Sequence, residues 1–393
     1  MVFEKQIWRI SMKAAISTHV WTTGPSQELK KYFIKNKIDK LLWISHPLTY
    51  HERLDSSGHE TYSKGKQTKR HYKKIKKIPS LLSYLKDVYL NIFYVLKSKE
   101  KYNIYVGFDN LNAFAGWILK KLGRTKKSVY YVVDYVPIRF ENKILNSIYH
   151  KVESFCAVHC DETWNLSKRM VKARDEFKGL NPNKCGLQKE LQMGVWFDEI
   201  KRYSFNKINH NQLVFMGHIM EKQGVQYVLD AVPSIIKKIH QFKFLIIGDG
   251  EYISTLKEKV KELEIEKYIT FTGYIKDDKK IEELISRSAL AVALYDTKER
   301  KRNWTYYTDP GKIKAYLGAG TPVLTTNVPH NSHDIADKKC GMIVDLNPES
   351  ISKAVIAMLN DKKLLRKYRE NAAAYAKNFD WNVLFGGVLA DPT

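Results

Sequence analysis

Residues 242–250 read Phe-Lys-Phe-Leu-Ile-Ile-Gly-Asp-Gly. A short apolar run stopped by two glycines is the pattern of a strand in a parallel sheet, where both faces are covered and neither alternates with solvent. The pattern repeats outward from this stretch. Residues 213–216 give a strand and 225–238 a helix before it. After it come a helix over 252–263, a strand over 269–271, a helix over 280–287, and strands over 289–294 and 322–325. Strands separated by helices of this length imply βαβ units.

The first half has the same alternation. Residues 13–19 (KAAISTH), 40–45 (KLLWIS), 102–108 (YNIYVGF) and 128–133 (SVYYVV) read as strands. Leu81, Leu85, Val88, Ile92 and Leu96 recur every three or four residues and predict an amphipathic helix. Its apolar stripe is expected to pack in the core, with a seat on a membrane surface as the alternative. The polar segment 203–212 (YSFNKINHNQ) is the natural linker. The expected fold class is therefore α/β, with two Rossmann-like, doubly wound parallel-sheet domains facing a central cleft. The expected spans are 1–204 for a first domain and 205–375 for a second. Residues 376–393 form a final helix.

A chain of 393 residues is long enough for two cores, and an apolar fraction of 44% supports them. The four cysteines, Cys156, Cys160, Cys185 and Cys340, form no paired CxxC motif, so neither a zinc site nor a disulfide scaffold is indicated. Residues 1–13 lack a signal-peptide pattern, and no stretch reaches the roughly 20 apolar residues of a spanning helix. The expected location is cytoplasmic. The net charge of +24 points to an anionic partner. Residues 64–77 hold Lys64, Lys66, Lys69, Arg70, Lys73, Lys74, Lys76 and Lys77 with no acid among them. That run reads either as a solvated loop or as a contact to the anionic inner face of a cell membrane. No nucleic-acid-binding signature accompanies the charge, so nucleic acid is not the expected partner.

Two segments of the second half carry ligand chemistry. In 215–225 (FMGHIMEKQGV) a strand ends, the chain turns on Gly217, and a helix follows with Lys222 near its start. Glycine allows close approach of backbone to ligand, and a lysine there can face a diphosphate. Gly248 opens a second turn of the same kind. In 304–323 (WTYYTDPGKIKAYLGAGTPV), Asp309 before Pro310 is a helix start, with the carboxylate as expected N-cap. The exposed end of that helix would carry Lys312 into the cleft.

The order FMGH…KQGV, FLIIGDG, ITFTGYI and PGKIKAYLGAGTPVLTT resembles the donor domain of group 1 glycosyltransferases of the GT-B fold. Residues 160–167 (CDETWNLS) and 193–195 (MGV) are similar to the family's segments closing the first domain. The resemblance implies binding of a nucleotide-diphosphate sugar, with Gly217, His218, Lys222, Gly248, Tyr306, Tyr307, Asp309 and Lys312 as the donor-side residues. It also implies a final helix returning toward the first domain, and a leaving diphosphate neutralised by basic side chains and helix dipoles without metal or other cofactor. There are departures. The glutamate pair common in the last motif falls on Tyr307 and Ala315, the arginine after the glycine turn on His218, and a usual lysine on Gln223.

On the first domain, the loop after the first strand offers Thr23, Gly24, Ser26 and Gln27, where relatives keep a loop near phosphate and acceptor; Ser26 and Gln27 alternatively cap the following helix. Asp134, at the end of a buried strand, is the first candidate for the base that takes the acceptor hydroxyl's proton, and His19 the second. A structural turn or salt bridge to Arg139 is the plainer role for Asp134. The expected activity is transfer of a hexose to a glycan or lipid-linked acceptor in surface polysaccharide or glycolipid synthesis. The alternatives are a non-catalytic sugar-nucleotide-binding protein and a sugar-nucleotide epimerase.

Overall fold

A computed structural model describes residues 12–20, 24–47, 55–75, 80–296 and 302–390. The chain divides into two compact units, Met1–Leu191 and Gln192–Thr393. The expected strands and helices are present in both, and both main sheets are wound in parallel.

In the first unit, β1 (Lys13–Val20), β2 (Lys40–Pro47), β3 (Ser56–Ser63), β4 (Lys66–Lys74), β5 (Tyr102–Phe108), β6 (Thr125–Val132), β7 (Glu162–Asn165) and β8 (Leu187–Glu190) make one sheet. Their spatial order is β4-β3-β2-β1-β5-β6-β7-β8. Pairing is parallel from β2 through β8 and antiparallel for β3 and β4. Helices α1 (Pro25–Lys35), α2 (Ser80–Lys97), α3 (Asn110–Lys121), α4 (Lys143–His159) and α5 (Lys168–Lys178) link the strands. Winding reverses between β1 and β5, so the crevice suited to a ligand opens at their carboxyl ends.

Two expectations for this unit are corrected. The basic run is not simply a solvated loop: Lys66–Lys74 form the edge strand β4, turned back on β3 through Lys64 and Gly65, both at positive φ. Lysines on an edge strand keep its open backbone from pairing with another chain. Lys76 and Lys77 lie outside the described residues. The α2 stripe is only partly core: Ile92 packs on the cluster of Ala15, Leu42 and Ile44, but Leu85 is 61% exposed and Leu96 37%. The helix buries Tyr94 and Val95 against that cluster, and Asp87 and Asn91 against the polar partners His19, His46 and Asn112.

In the second unit, β9 (Asn209–Met216), β10 (Lys243–Ile247), β11 (Ile269–Gly273), β12 (Ser288–Ala293), β13 (Val323–Thr325) and β14 (Gly341–Ile343) form a parallel sheet in the order β11-β10-β9-β12-β13-β14. The helices are α6 (Val225–Ile236), α7 (Ile253–Glu262), α8 (Asp278–Ser286), α9 (Trp304–Tyr307), α10 (Gly311–Gly318), α11 (Ser332–Asp337), α12 (Pro348–Asn360), α13 (Lys362–Ala376) and α14 (Trp381–Leu389). The opening stretch of sequence explains the packing. On β10, Phe244 and Ile246 face one apolar cluster with Val228, Leu229 and Val355, while Leu245 and Ile247 face the other with Ile313, Tyr316 and Leu317. A strand covered on both sides has no reason to alternate with polar residues.

The expected linker at 203–212 is corrected as well. Residues 209–212 are the first half of β9, paired with β12 and β10 through Asn209 and Gln212. They are polar because that end of the strand is only partly covered. The segment following Leu191 already belongs to the second unit: Arg202 donates to the Gly318 and Phe197 carbonyls at 2.8 and 2.6 Å. There α14 is tied in through Trp381 N–H to the Val195 carbonyl at 3.0 Å and Phe197 N–H to Asp380 Oδ2 at 2.8 Å.

Candidate functional site

The winding of the second unit, with β9 central and β12 crossing to its other side, is the doubly wound order that leaves a crevice at the carboxyl ends of these two strands. A pocket of about 350 Å³ sits there, lined by Lys222, Gln223, Tyr295, Asp296, Arg302, Asn303, Trp304 and Thr305. Lys222 and Gln223 come from the turn after β9, Tyr295 and Asp296 from the end of β12, and Trp304 and Thr305 from α9. The Lys222 ammonium lies 4.9 Å from the centre of the Trp304 ring.

Lys312, on the first turn of α10, joins two of the lining residues. Its Nζ donates to Gln223 Oε1 at 2.5 Å and lies 4.5 Å from the Phe215 ring centre and 5.8 Å from that of Tyr295. Burial lowers its pKa from 10.5 to about 7. Two glycines make room for it. Gly217 has φ 149°, and a Cβ there would stand 2.8 Å from Lys312 Nζ. Gly248 has φ 132°, and a Cβ there would overlap the Gly217 carbonyl oxygen. The turns after β9 and β10 thus touch through backbone alone, and Gly217 N–H donates to the Ile247 carbonyl at 3.0 Å.

Three expected donor-side residues make contacts within the protein. Asp309 is no N-cap: α10 starts at Gly311, after Pro310, without a side-chain cap. Asp309 is 2% exposed, accepts from Met193 N–H at 2.8 Å and from His330 Nε2 at 3.1 Å, and pairs with Lys314 at 3.4 Å. Burial alone would raise its pKa; Lys314, His330 and the Met193 amide outweigh burial and hold it below the ordinary value. His218 forms an exposed pair with Glu251 at 2.9 Å, a type of contact worth little. Tyr307 is buried, its ring 5.1 Å from that of Tyr306 in an edge arrangement.

The first unit has its own polar cluster at the carboxyl ends of β1 and β2. His46 Nε2–H donates to Asn91 Oδ1 at 3.0 Å, Asn91 Nδ2 to Asn112 Oδ1 at 2.9 Å, and Asn112 Nδ2 to His19 Nδ1 at 3.1 Å. His19 Nε2–H completes the chain at Asp87 Oδ2, 3.3 Å away. This donor order assigns the tautomers. Burial, the largest influence on His46, lowers its pKa to about 4, so its ring is neutral. Burial would raise the Asp87 pKa, but the His19 hydrogen bond and the proximity of His46, His19 and Lys86 leave it lowered. Both nitrogens of His19 are therefore engaged.

Asp134 follows β6, and Asp109 follows the neighbouring strand β5. Burial and then the Asp109 charge raise the Asp134 pKa to about 6, against an opposing pull from Arg139. Burial raises Asp109 too, against Arg139 and His19. Asp109 also holds φ 66°, a strained value for a residue other than glycine. A half-buried carboxylate with its pKa near neutrality suits proton transfer. Thr23 lies outside the described residues. Gly24 caps α1 without a side-chain bond. Ser26 and Gln27 lie inside its first turn, where Ser26 Oγ donates to Gln27 Oε1 at 2.8 Å and neither caps the helix.

Residues 210–361 match the family described as "Glycosyl transferases group 1". They are a group 1 glycosyltransferase domain. The whole chain shares the fold of solved glycosyltransferases. It aligns with sucrose-phosphate synthase from Thermosynechococcus elongatus at TM-score 0.71 and 14% identity, covering 96% of this chain and 98% of that one. The UDP-glucose complex of Anabaena HepE gives 0.69 at 14% identity, with coverage of 96% and 98%. WaaG, a glycosyltransferase involved in lipopolysaccharide biosynthesis, gives 0.63 at 15% identity, with coverage of 95% and 98%. Among curated sequences, the alpha-monoglucosyldiacylglycerol synthase of Streptococcus pneumoniae is 28% identical over 167 residues, 41% of this chain and 35% of that protein. A GDP-mannose-dependent phosphatidylinositol monomannoside mannosyltransferase of Mycobacterium tuberculosis is 24% identical over 164 residues, 41% of each. The chain spans less than half the length of either of these two relatives.

Within the glycosyltransferase domain, Lys222 lines the pocket, Lys312 bonds the lining residue Gln223, and Gly217 and Gly248 follow behind Lys312 in a chain of contacts. Tyr295, Asp296 and Trp304 were not foreseen as site residues. The first two directly follow a strand read as ending at Leu294, and strand ends are where such sites form. Trp304 carries the signal of a large aromatic side chain left 44% exposed.

Proposed function

We propose that this chain is a hexosyltransferase. It binds a nucleotide-diphosphate sugar in the second unit and passes the hexose to a glycan or lipid-linked acceptor of a surface polysaccharide or glycolipid. The observation that carries the reading is the pocket at the β9–β12 reversal inside a group 1 glycosyltransferase domain, with Lys312 beside it. An incoming diphosphate would hold Lys312 in its charged form, and Lys222 would add a second cation. Neutralising the leaving diphosphate with these side chains makes the transfer metal-independent. Gly217 and Gly248 allow the close backbone approach.

On the acceptor side, Asp134 takes the hydroxyl proton and His19, fixed by Asp87 and Asn112, orients the acceptor. The acceptor classes named for the pneumococcal and mycobacterial relatives, diacylglycerol and phosphatidylinositol lipids, support a lipid-linked acceptor. Among the described residues, no helix is long and apolar enough to cross a membrane. The exposed basic strand β4 supports peripheral attachment to the anionic inner face of the cell membrane.

The test is a thermal-shift panel of UDP, GDP, ADP, CMP and dTDP, followed by product analysis with the matching nucleotide sugars. One diphosphate should stabilise the protein, and its sugar should be consumed only when an acceptor is present. Turnover without acceptor would indicate an epimerase. Binding without any sugar loss would indicate a non-catalytic protein.

A further inference from the structure

Helix α2 carries apolar residues on its outward side as well as on its inward one. Leu82, Leu85, Tyr89, Phe93 and Leu96 follow one another at three- and four-residue steps and so share one stripe. Leu82 is 54% exposed, Leu85 61% and Tyr89 62%. The opposite side carries Asp87 and Asn91, at 1% and 0% exposure, which bond His19, His46 and Asn112. An ordinary amphipathic helix hides its apolar side. Here Asp87 and Asn91 share the inward side with Tyr94 and Val95, which pack in the core, and a second apolar stripe faces out.

The surroundings of that stripe are cationic. Register on the β3–β4 hairpin sets Lys73 opposite Ser57, His71 opposite His59, and Lys69 opposite Thr61, so all three β4 residues share the sheet face of His59. That face belongs to α2, since the His59 ring lies 4.5 Å from the Tyr94 ring. Burial, His71, Lys69 and Lys97 together lower the His59 pKa to about 4, which brings Lys69 of β4 and Lys97 of α2 into one neighbourhood. Lys97 also lies 5.4 Å from the centre of the Phe93 ring, at the margin of the stripe. The only acid on α2 is the buried Asp87.

We propose that the outward face of α2, with Lys97 and the β4 lysines Lys69 and Lys73 beside it, seats the protein on an anionic lipid bilayer. Apolar residues on one stripe enter the boundary between headgroups and acyl chains, while flanking lysines meet anionic headgroups. Two copies of this chain pressed together by the same face would set these lysines against one another, which argues for lipid over self-association. The inference deepens the membrane reading given under the proposed function. It does not depend on which sugar is transferred.

The test uses the full chain and sedimentation with vesicles of phosphatidylcholine alone or mixed with phosphatidylglycerol. Wild type should bind the mixed vesicles and leave the neutral ones largely free. Leu85→Glu/Phe93→Glu should lower the bound fraction by about tenfold or more even at low salt, because charge would enter the apolar layer. Lys69→Glu/Lys73→Glu should weaken binding at low salt and lose most of its salt dependence. Each variant should keep the wild-type thermal shift with the nucleotide that the protein binds, which separates docking from folding. Absence of wild-type binding to mixed vesicles, or unchanged binding by Leu85→Glu/Phe93→Glu, would overturn the proposal. So would a wild-type dimer in sedimentation velocity that this double variant dissolves. Vesicle binding without any sugar transfer would sink the enzymatic reading and leave the docking surface standing.

Discussion

The Lys312 ammonium donates to Gln223 Oε1 at 2.5 Å, a buried cation held by a neutral amide. Aromatic rings of Phe215 and Tyr295 complete its surroundings. A neutral partner satisfies one hydrogen without offsetting the charge, so burial brings the pKa to about 7. A diphosphate would supply the missing counter-charge. Lys312→Ala should therefore weaken binding of the nucleotide diphosphate by about 10- to 100-fold, the range for a lost charge-assisted hydrogen bond. Isothermal titration checks this, and unchanged affinity would remove Lys312 from the donor site.

The same lowered pKa gives a pH prediction with a definite sign. Below about 7 the free protein already carries a charged Lys312; above it, binding an anion must first take up a proton. Donor affinity should hold below pH 7 and fall as pH rises beyond it, with about one proton taken up per ligand. Titrations in two buffers of different ionisation enthalpy measure that uptake. The Lys312→Ala variant should show none.

Asp134 predicts the other limb. With a pKa of about 6, it is a base only when deprotonated, so turnover should rise as pH climbs through 6. Asp134→Asn should lower kcat by about 10²- to 10⁴-fold and leave nucleotide binding intact. Asp109→Asn removes a charge that raises the Asp134 pKa. Its acid limb should therefore move to lower pH. A limb that stays in place would mean that another group titrates.

Gly248→Ala tests the contact between the two turns. The added Cβ would overlap the Gly217 carbonyl at a φ of 132°. Backbone must move, so the melting temperature and nucleotide affinity should drop together, with a stability loss of about 1–3 kcal/mol. Chemical denaturation measures the first and titration the second.

The sequence disclosed both sheets because buried parallel strands announce themselves as uninterrupted apolar runs, such as 242–247. It disclosed the glycine turns and Lys312 because those residues have few substitutes in that setting. It hid β4 because the side chains of an exposed edge strand are mostly solvated, so Lys66–Lys74 shows no apolar pattern and reads as solvated charge. It misdirected α2 because periodicity states that a helix has two faces without stating which one the fold covers; Asp87 and Asn91 won the inside through hydrogen bonds to distant histidines. Asp309 misled for a related reason. A local capping signal was overridden by Met193, His330 and Lys314, of which Met193 lies 116 positions away.

That override makes Asp309 a stability residue. Lys314 is fully buried, its ammonium 3.4 Å from Asp309, 2.9 Å from Gln192 Oε1 and 3.4 Å from the Phe379 ring centre. Asp309→Ala would leave that cation without its carboxylate, at a cost of about 3–5 kcal/mol. Replacing both partners with apolar residues, as in Asp309→Leu/Lys314→Met, should recover most of the loss, because no charge stays buried. The wild-type contribution also has a pH window. Asp309 has a folded pKa below its unfolded one, so its stabilisation is complete above the ordinary carboxylate value and is lost as pH falls through the lowered one. Urea unfolding at pH 7 and at about pH 2, well below the ordinary carboxylate value, should therefore show a smaller gap between wild type and Asp309→Ala in acid. An equal gap at both values would mean that packing rather than charge holds Asp309 in place.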